Sequence, residues 1–251
     1  MAASDHCPSC TQAEVVAITE RVDSLLLRWN QKYYSKELPL ALQAAREESH
    51  RITPILVNAY CGPDRRYHSL RHILDALDRF DEVKDTLRDP DAVEFAILFH
   101  DSIYGTGQTD APFTDEAQSG KVAAHVANEL DRNFDFQQRI RQLIQYTDHK
   151  TPVPEDDLDA QTLVDIDLAY LGYDEETFDR NTRDIRFEYR RYSDEQWRMG
   201  RADFYRTMLA RLDSGDHLFQ TSYFRAKYEA QARRNLQHGL DVITVVGALV
   251  P

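Results

Sequence analysis

The sequence predicts an all-α protein. Apolar residues recur at helical spacing along nearly the whole chain, and no segment sustains the period-2 alternation of a half-buried strand. The breaks between periodic segments carry turn residues. In the first segment Val16, Ile18, Val22, Leu25, Leu26 and Trp29 line one helical face. The same periodicity marks helices near 40–60, 70–86, 91–103, 116–131, 136–147, 176–191, 195–212 and 222–243. Between them stand Gly62-Pro63-Asp64, Asp89-Pro90-Asp91, Gly105-Thr106-Gly107 and Lys150-Thr151-Pro152-Val153-Pro154. Asp115 followed three residues later by Gln118 has the pattern of a capping box opening the helix near 116. No internal repeat is visible, which argues against a solenoid.

With 251 residues, 42% of them apolar and 29% charged, the chain can bury a sizeable core and is not of disordered composition. No Pro/Gly/Ser linker or low-complexity tract marks a division, so one helical bundle domain over 13–245 is expected, with tails at 1–12 and 246–251. A formal charge of −13 repels phosphodiester backbones and makes polymeric nucleic acid an unexpected partner. The start MAASDHCPSC has neither a basic nor an apolar targeting stretch, and no run of 18 apolar residues occurs. A cytoplasmic protein without a membrane partner is therefore expected. Cys7, Cys10 and Cys61 are too few for a disulfide framework, and their odd number suits a reducing compartment. Cys7-Pro-Ser-Cys10 lacks a second CxxC and reads as part of a frayed tail. The apolar end DVITVVGALVP is too short to span a bilayer and should pack on the bundle or on a second subunit.

The chemistry concentrates in three places. In VEFAILFHDSIYG an apolar run with the look of a buried helix ends in His100 and Asp101. In RRYHSLRHIL, His68 and His72 stand at i and i+4, so on a helix both imidazoles share one face. In TLVDIDLAYLG, Asp165 and Asp167 interrupt an apolar segment. A buried carboxylate needs a cation or several donors, because an isolated buried charge costs several kcal/mol. Two apolar segments that each carry a carboxylate are consistent with one shared cation.

The order His72, His100-Asp101, Asp167 resembles the H…HD…D signature of the HD superfamily of metal-dependent phosphohydrolases. The stretches RRYHSLRHI, FHDSIYG, TDEAQSG, YTDHK, DIDLAYLG, IRFEY and EAQARRNL are further similar to a compact subfamily of HD phosphohydrolases, over about residues 13–240. That resemblance implies an HD-type helical bundle in which His72, His100, Asp101 and Asp167 ligate a divalent metal. The context Ile166-Asp167-Leu168 fits the family's final ligand better than Val164-Asp165-Ile166. Asp165 is then implied to stand behind the ligands and orient an imidazole. YHSLRH also resembles the YHNxxH start of cyclic-nucleotide phosphodiesterases, which implies His72 as ligand and His68 as the acid that protonates the leaving alkoxide.

The residue types suit that chemistry. A His/Asp-ligated divalent cation lowers the pKa of a bound water from about 16 to about 7 and polarises a phosphoryl oxygen. Mn, Fe, Co, Ni and Zn all accept such ligands, at one ion per chain or, with further histidines, two. Arg65, Arg66, Arg71, Lys150, Arg183 and Arg186 are the cations near these motifs; Arg65, Arg71, Lys150 and Arg186 are the expected phosphate contacts of a small phosphorylated substrate. Glu116 is a candidate base or water-holder, and a first-turn acid favoured by the helix dipole in the alternative. His149 matches a subfamily histidine and is expected at the site, whereas His125 reads as a core histidine. His6, His50, His217 and His238 belong to no constellation and are expected on the surface. Two rival readings stand beside the hydrolase: an HD-fold diiron oxygenase using His125 and His149, and a non-catalytic module that keeps the metal. The oligomeric state is open.

Overall fold

Asp89-Pro90 opens the helix around which the first part of the molecule is built. The Asp89 side chain accepts from the Ala92 amide at 3.1 Å, and Pro90, which has no N–H to satisfy, occupies the first turn. The computed structural model describes residues 10–34, 37–105 and 113–248. It is helical throughout, with no strand among the described residues. The chain divides into two compact units, one ending at Thr151 and one beginning at Pro152. The Pro152-Val153-Pro154 break opens the second unit.

The first unit contains α1 (Gln12–Tyr34), α2 (Leu38–Tyr60), α3 (Leu70–Val83), α4 (Pro90–Phe99), α5 (Asp115–Glu129) and α6 (Phe134–Gln145). A 3₁₀ turn at Tyr146–Asp148 follows α6. Helix α1 packs on α2 and α3, and α4 packs on α3, α5 and α6. Ala92 to Phe99 are all buried, so α4 is central. Its large apolar side chains Val93, Phe95, Ile97, Leu98 and Phe99 each contribute about 1.5–3 kcal/mol by burial. Trp29 of α1 stacks on Phe95 at 5.5 Å between ring centroids. Glu94, buried on α4, is ion-paired with Arg28, and burial raises its carboxyl pKa.

Cys10 and Cys61 form a disulfide that ties the segment before α1 to the end of α2. This corrects the expectation of unpaired thiols. The two are 51 residues apart, and closing a loop of that length stabilises by about 2–4 kcal/mol through the unfolded chain. Cys7 and the rest of the expected tail at 1–9 lie outside the described residues.

The second unit contains α7 (Leu158–Leu168), α8 (Glu175–Glu188), α9 (Asp194–Asp213), α10 (Ser222–Phe224) and α11 (Ala230–Ala248). A π turn at Arg225–Glu229 joins α10 to α11. Helix α11 packs on α9 and α8, and Gly239 permits this: a Cβ there would stand 2.8 Å from the Tyr205 ring. The Asn235 side chain of α11 donates to the carbonyls of Leu171 (2.8 Å) and Tyr173 (2.7 Å). Helix α7 has no amphipathic period in the sequence because it is buried nearly all round.

Candidate metal centre

The site of the first unit lies at the end of α4. His100 caps the helix and is 2% exposed. Its Nδ1 lies 2.9 Å from the Ile97 carbonyl oxygen, which can only accept, so Nδ1 carries the proton. In the neutral imidazole Nε2 then keeps its lone pair. That atom stands 3.2 Å from His72 Nε2 and 3.2 Å from Asp101 Oδ2, and the His72–Asp101 separation is 3.5 Å. His72 occupies the first turn of α3, so two helices bring the three groups together.

These side chains fit a metal. A point equidistant from the three donor atoms lies about 1.9 Å from each, close to the roughly 2.0–2.2 Å of Zn–N and Zn–O bonds, so the spacing of the donors suits an ion. His72, His100 and Asp101 thus meet the requirement for holding an ion. Asp75, three residues beyond His72, interacts electrostatically with it, and burial raises the Asp75 pKa. Its i, i+3 spacing from His72 is the signal the sequence carries for it.

The surroundings differ from expectation in several places. His68 precedes α3 instead of sharing its face, since Ser69 is the N-cap. Its ring still lies 5.9 Å from that of His72, because it stacks on Tyr104 at 3.8 Å. Arg65, expected at a phosphate, spends Nη1 on the carbonyls of His68 (3.2 Å) and Asp101 (2.8 Å), and Nη2 on that of Ser102 (3.2 Å). It thereby fastens the His68 loop to the His100-Asp101 turn. Ser119 of α5 donates to the Ile103 carbonyl and accepts from the Ile103 amide. Asp115 accepts from the Gly105 amide at 2.7 Å. The N-cap of α5 is Thr114, not Asp115, so the expected capping box is replaced by a clamp on the chain beyond Asp101. Ser119 and Tyr104 had no signal in sequence, because their roles depend on tertiary contacts.

Glu116 is half-buried in the first turn of α5. Arg71 donates to the Arg66 carbonyl at 3.3 Å, and Lys150 is exposed. His149 is exposed, with a left-handed φ of 54° at the end of the Tyr146–Asp148 turn. His125 is not a core histidine: it is exposed on α5 and pairs with Glu129 at 3.3 Å. Among the described residues neither His125 nor His149 joins a second group of three or more metal-ligand side chains.

In the second unit, Asp165 is fully buried. Its Oδ1 accepts from the Gln220 amide at 2.6 Å and its Oδ2 from the Thr221 amide at 2.7 Å. Burial raises its pKa to about 6 against these bonds and the nearby Arg225. Both oxygens anchor the turn before α10, which replaces the expected role of orienting an imidazole. Asp167 is two residues on, about 200° around α7, and is only half-buried. Arg186, expected at a phosphate, donates to the Tyr189 and Tyr192 carbonyls and to Asp194 at 2.7 Å. It closes the turn between α8 and α9.

No protein-family description, curated protein or solved structure matches the chain. No helix among the described residues is long and apolar enough to cross a membrane.

Proposed function

We propose that the chain is a metal-dependent phosphohydrolase acting on a small phosphoester, a nucleotide or another phosphorylated metabolite. The observation that carries the reading is the convergence of His72 Nε2, His100 Nε2 and Asp101 Oδ2 within 3.5 Å of one another. Asp167 is the proposed fourth ligand, on the order of the motif and because Asp165 has both oxygens on backbone amides. A divalent Mn, Fe, Co, Ni or Zn ion bound there supplies Lewis acidity toward a water and a phosphoryl oxygen. The Ile97 carbonyl, 2.9 Å from His100 Nδ1, favours the tautomer that turns Nε2 toward an ion. His68, half-buried and braced on Tyr104, is placed beside His72 to protonate the leaving alkoxide. Arg65 holds these two segments in register through three carbonyls.

The test is phosphate release under nitrogen, with added Mn²⁺ or Co²⁺, from nucleoside monophosphates, other nucleotides and sugar phosphates. Turnover of at least one substrate, with solvent oxygen entering the phosphate, is expected. No turnover on any substrate, together with O₂ consumption by an iron-loaded sample, would replace the hydrolase by the oxygenase reading.

A further inference from the structure

The Cys10–Cys61 disulfide stands next to the residues that brace the metal centre. Cys61 is the C-cap of α2, and its amide donates to the Val57 carbonyl at 2.9 Å. The turn that follows is closed by the Arg65 amide on the Gly62 carbonyl at 3.0 Å. Arg65 is the side chain that holds the carbonyls of His68, Asp101 and Ser102. Its guanidinium also lies over the ring of Tyr60, the residue before Cys61, at 5.6 Å, and over that of Tyr104 at 5.5 Å. Tyr60, Cys61 and Arg65 are all buried, so the end of α2 packs directly against the side chain that joins the His68 and Asp101 turns.

The bond is also placed to be broken and remade. Cys61 is 1% exposed, whereas Cys10, in the segment before α1, is half-buried. Access governs attack on a disulfide, and bonds open to solvent are the reducible ones, so an attacking thiolate reaches this one from the Cys10 side. Cys10 Sγ lies 3.6 Å from the carbonyl oxygen of Tyr60, in the last turn of α2, where carbonyls have no partner within the helix. A thiol at Cys10 is a weak S–H donor and would meet that acceptor where it stands. The reduced state therefore has a bond of its own to make at the same place.

We propose that the Cys10–Cys61 bond is a redox switch on the metal centre: oxidised, it fixes the end of α2 and with it Arg65; reduced, it frees them and weakens the hold on the ion. The reductant is a dithiol. One of its thiolates attacks Cys10 Sγ, a mixed disulfide forms as the Cys10–Cys61 bond breaks, and Cys61 leaves with the electron pair and takes up a proton. The second thiolate then attacks the reductant's own sulfur in the mixed disulfide. Cys10 leaves in the same way, and the reductant departs as a cyclic disulfide. Two electrons and two protons have passed to the chain. The proposal rests on His72, His100 and Asp101 holding an ion, and not on the hydrolysis of a phosphoester.

The probe is Co²⁺, titrated into the full-length chain stripped of metal and followed by its visible absorption. The chain is taken oxidised, after reduction by a dithiol and desalting under nitrogen, and after reoxidation; thiols are counted in denaturant and helicity is followed by circular dichroism. Reduction should raise the count from one to all three cysteines, leave the helical signal in place and weaken Co²⁺ binding at least about fivefold, the lower end of the coupling usual between two sites. Reoxidation should restore the affinity. Cys10→Ser and Cys61→Ser should bind Co²⁺ like the reduced chain under either condition; should they fail to fold, the reduced native chain answers alone. Equal Co²⁺ affinity in the oxidised and reduced forms overturns the switch and leaves the metal centre standing. Three thiols in the chain under air, a bond that the dithiol leaves intact, or loss of the helical signal on reduction overturns the switch as well, since the bond is then absent or serves stability alone. No Co²⁺ uptake by either form removes the switch and the metal centre together.

Discussion

Asp101 in the first unit and Asp165 in the second follow the same sequence logic and end in opposite states. Each is a carboxylate in or directly after an apolar helical segment, and each is largely withdrawn from water. Asp165 meets donors: two backbone amides satisfy its two oxygens. Asp101 meets two imidazoles, with Oδ2 within 3.5 Å of His72 Nε2 and His100 Nε2. The first arrangement is complete as it stands and holds a turn. The second gathers side chains that could hold a metal ion. Burial of an acid is thus a poor marker of function, and what surrounds its oxygens is a better one.

The sharpest way to break this comparison is to remove each carboxylate in turn. Asp101→Ala should remove the metal and the proposed phosphate release while leaving the helical circular dichroism intact, because only the first arrangement is proposed to hold an ion. His68→Ala should come next, lowering kcat by about 10²–10⁴ while the metal stays bound. If it lost the metal instead, His68 and His72 would have exchanged roles.

Asp165→Asn should leave metal and turnover in place and lower stability by about 1–3 kcal/mol, since one buried amide loses its acceptor. The pH dependence sharpens the point. With its pKa raised from 3.8 to about 6 in the folded state, Asp165 binds its proton more tightly there than in the unfolded chain. Its contribution therefore lowers stability as pH rises from about 4 to about 6, and denaturant midpoints across that window should flatten in Asp165→Asn. The smallest effect belongs to His125→Gln: an exposed pair with Glu129 is worth little, so turnover should change by less than about twofold.

Much of this was legible in the sequence, for reasons that can be named. An apolar run ending in His100-Asp101 carries its own contradiction, and Asp89-Pro90 is an unambiguous helix start. The helical periods of α1, α3 and α6 survive because each has a solvent face. Helix α7 has none, so periodicity missed it. His68 was placed on a helix that in fact begins two residues later, since spacing alone does not locate an N-cap. Arg65, Arg186 and Asp165 were read as parts of a site because their types suit one, yet each is spent on backbone groups that come near only through the fold. The Cys10–Cys61 bond escaped for the same reason, as did the Ser119 contact with Ile103.

The central claim, that His72, His100 and Asp101 hold an ion, is tested most directly by metal analysis of the chain purified without chelators, beside the His100→Ala, Asp101→Ala double variant. The account predicts about one transition-metal ion per native chain and none in the variant. Full occupancy in the double variant would contradict it and place the metal elsewhere.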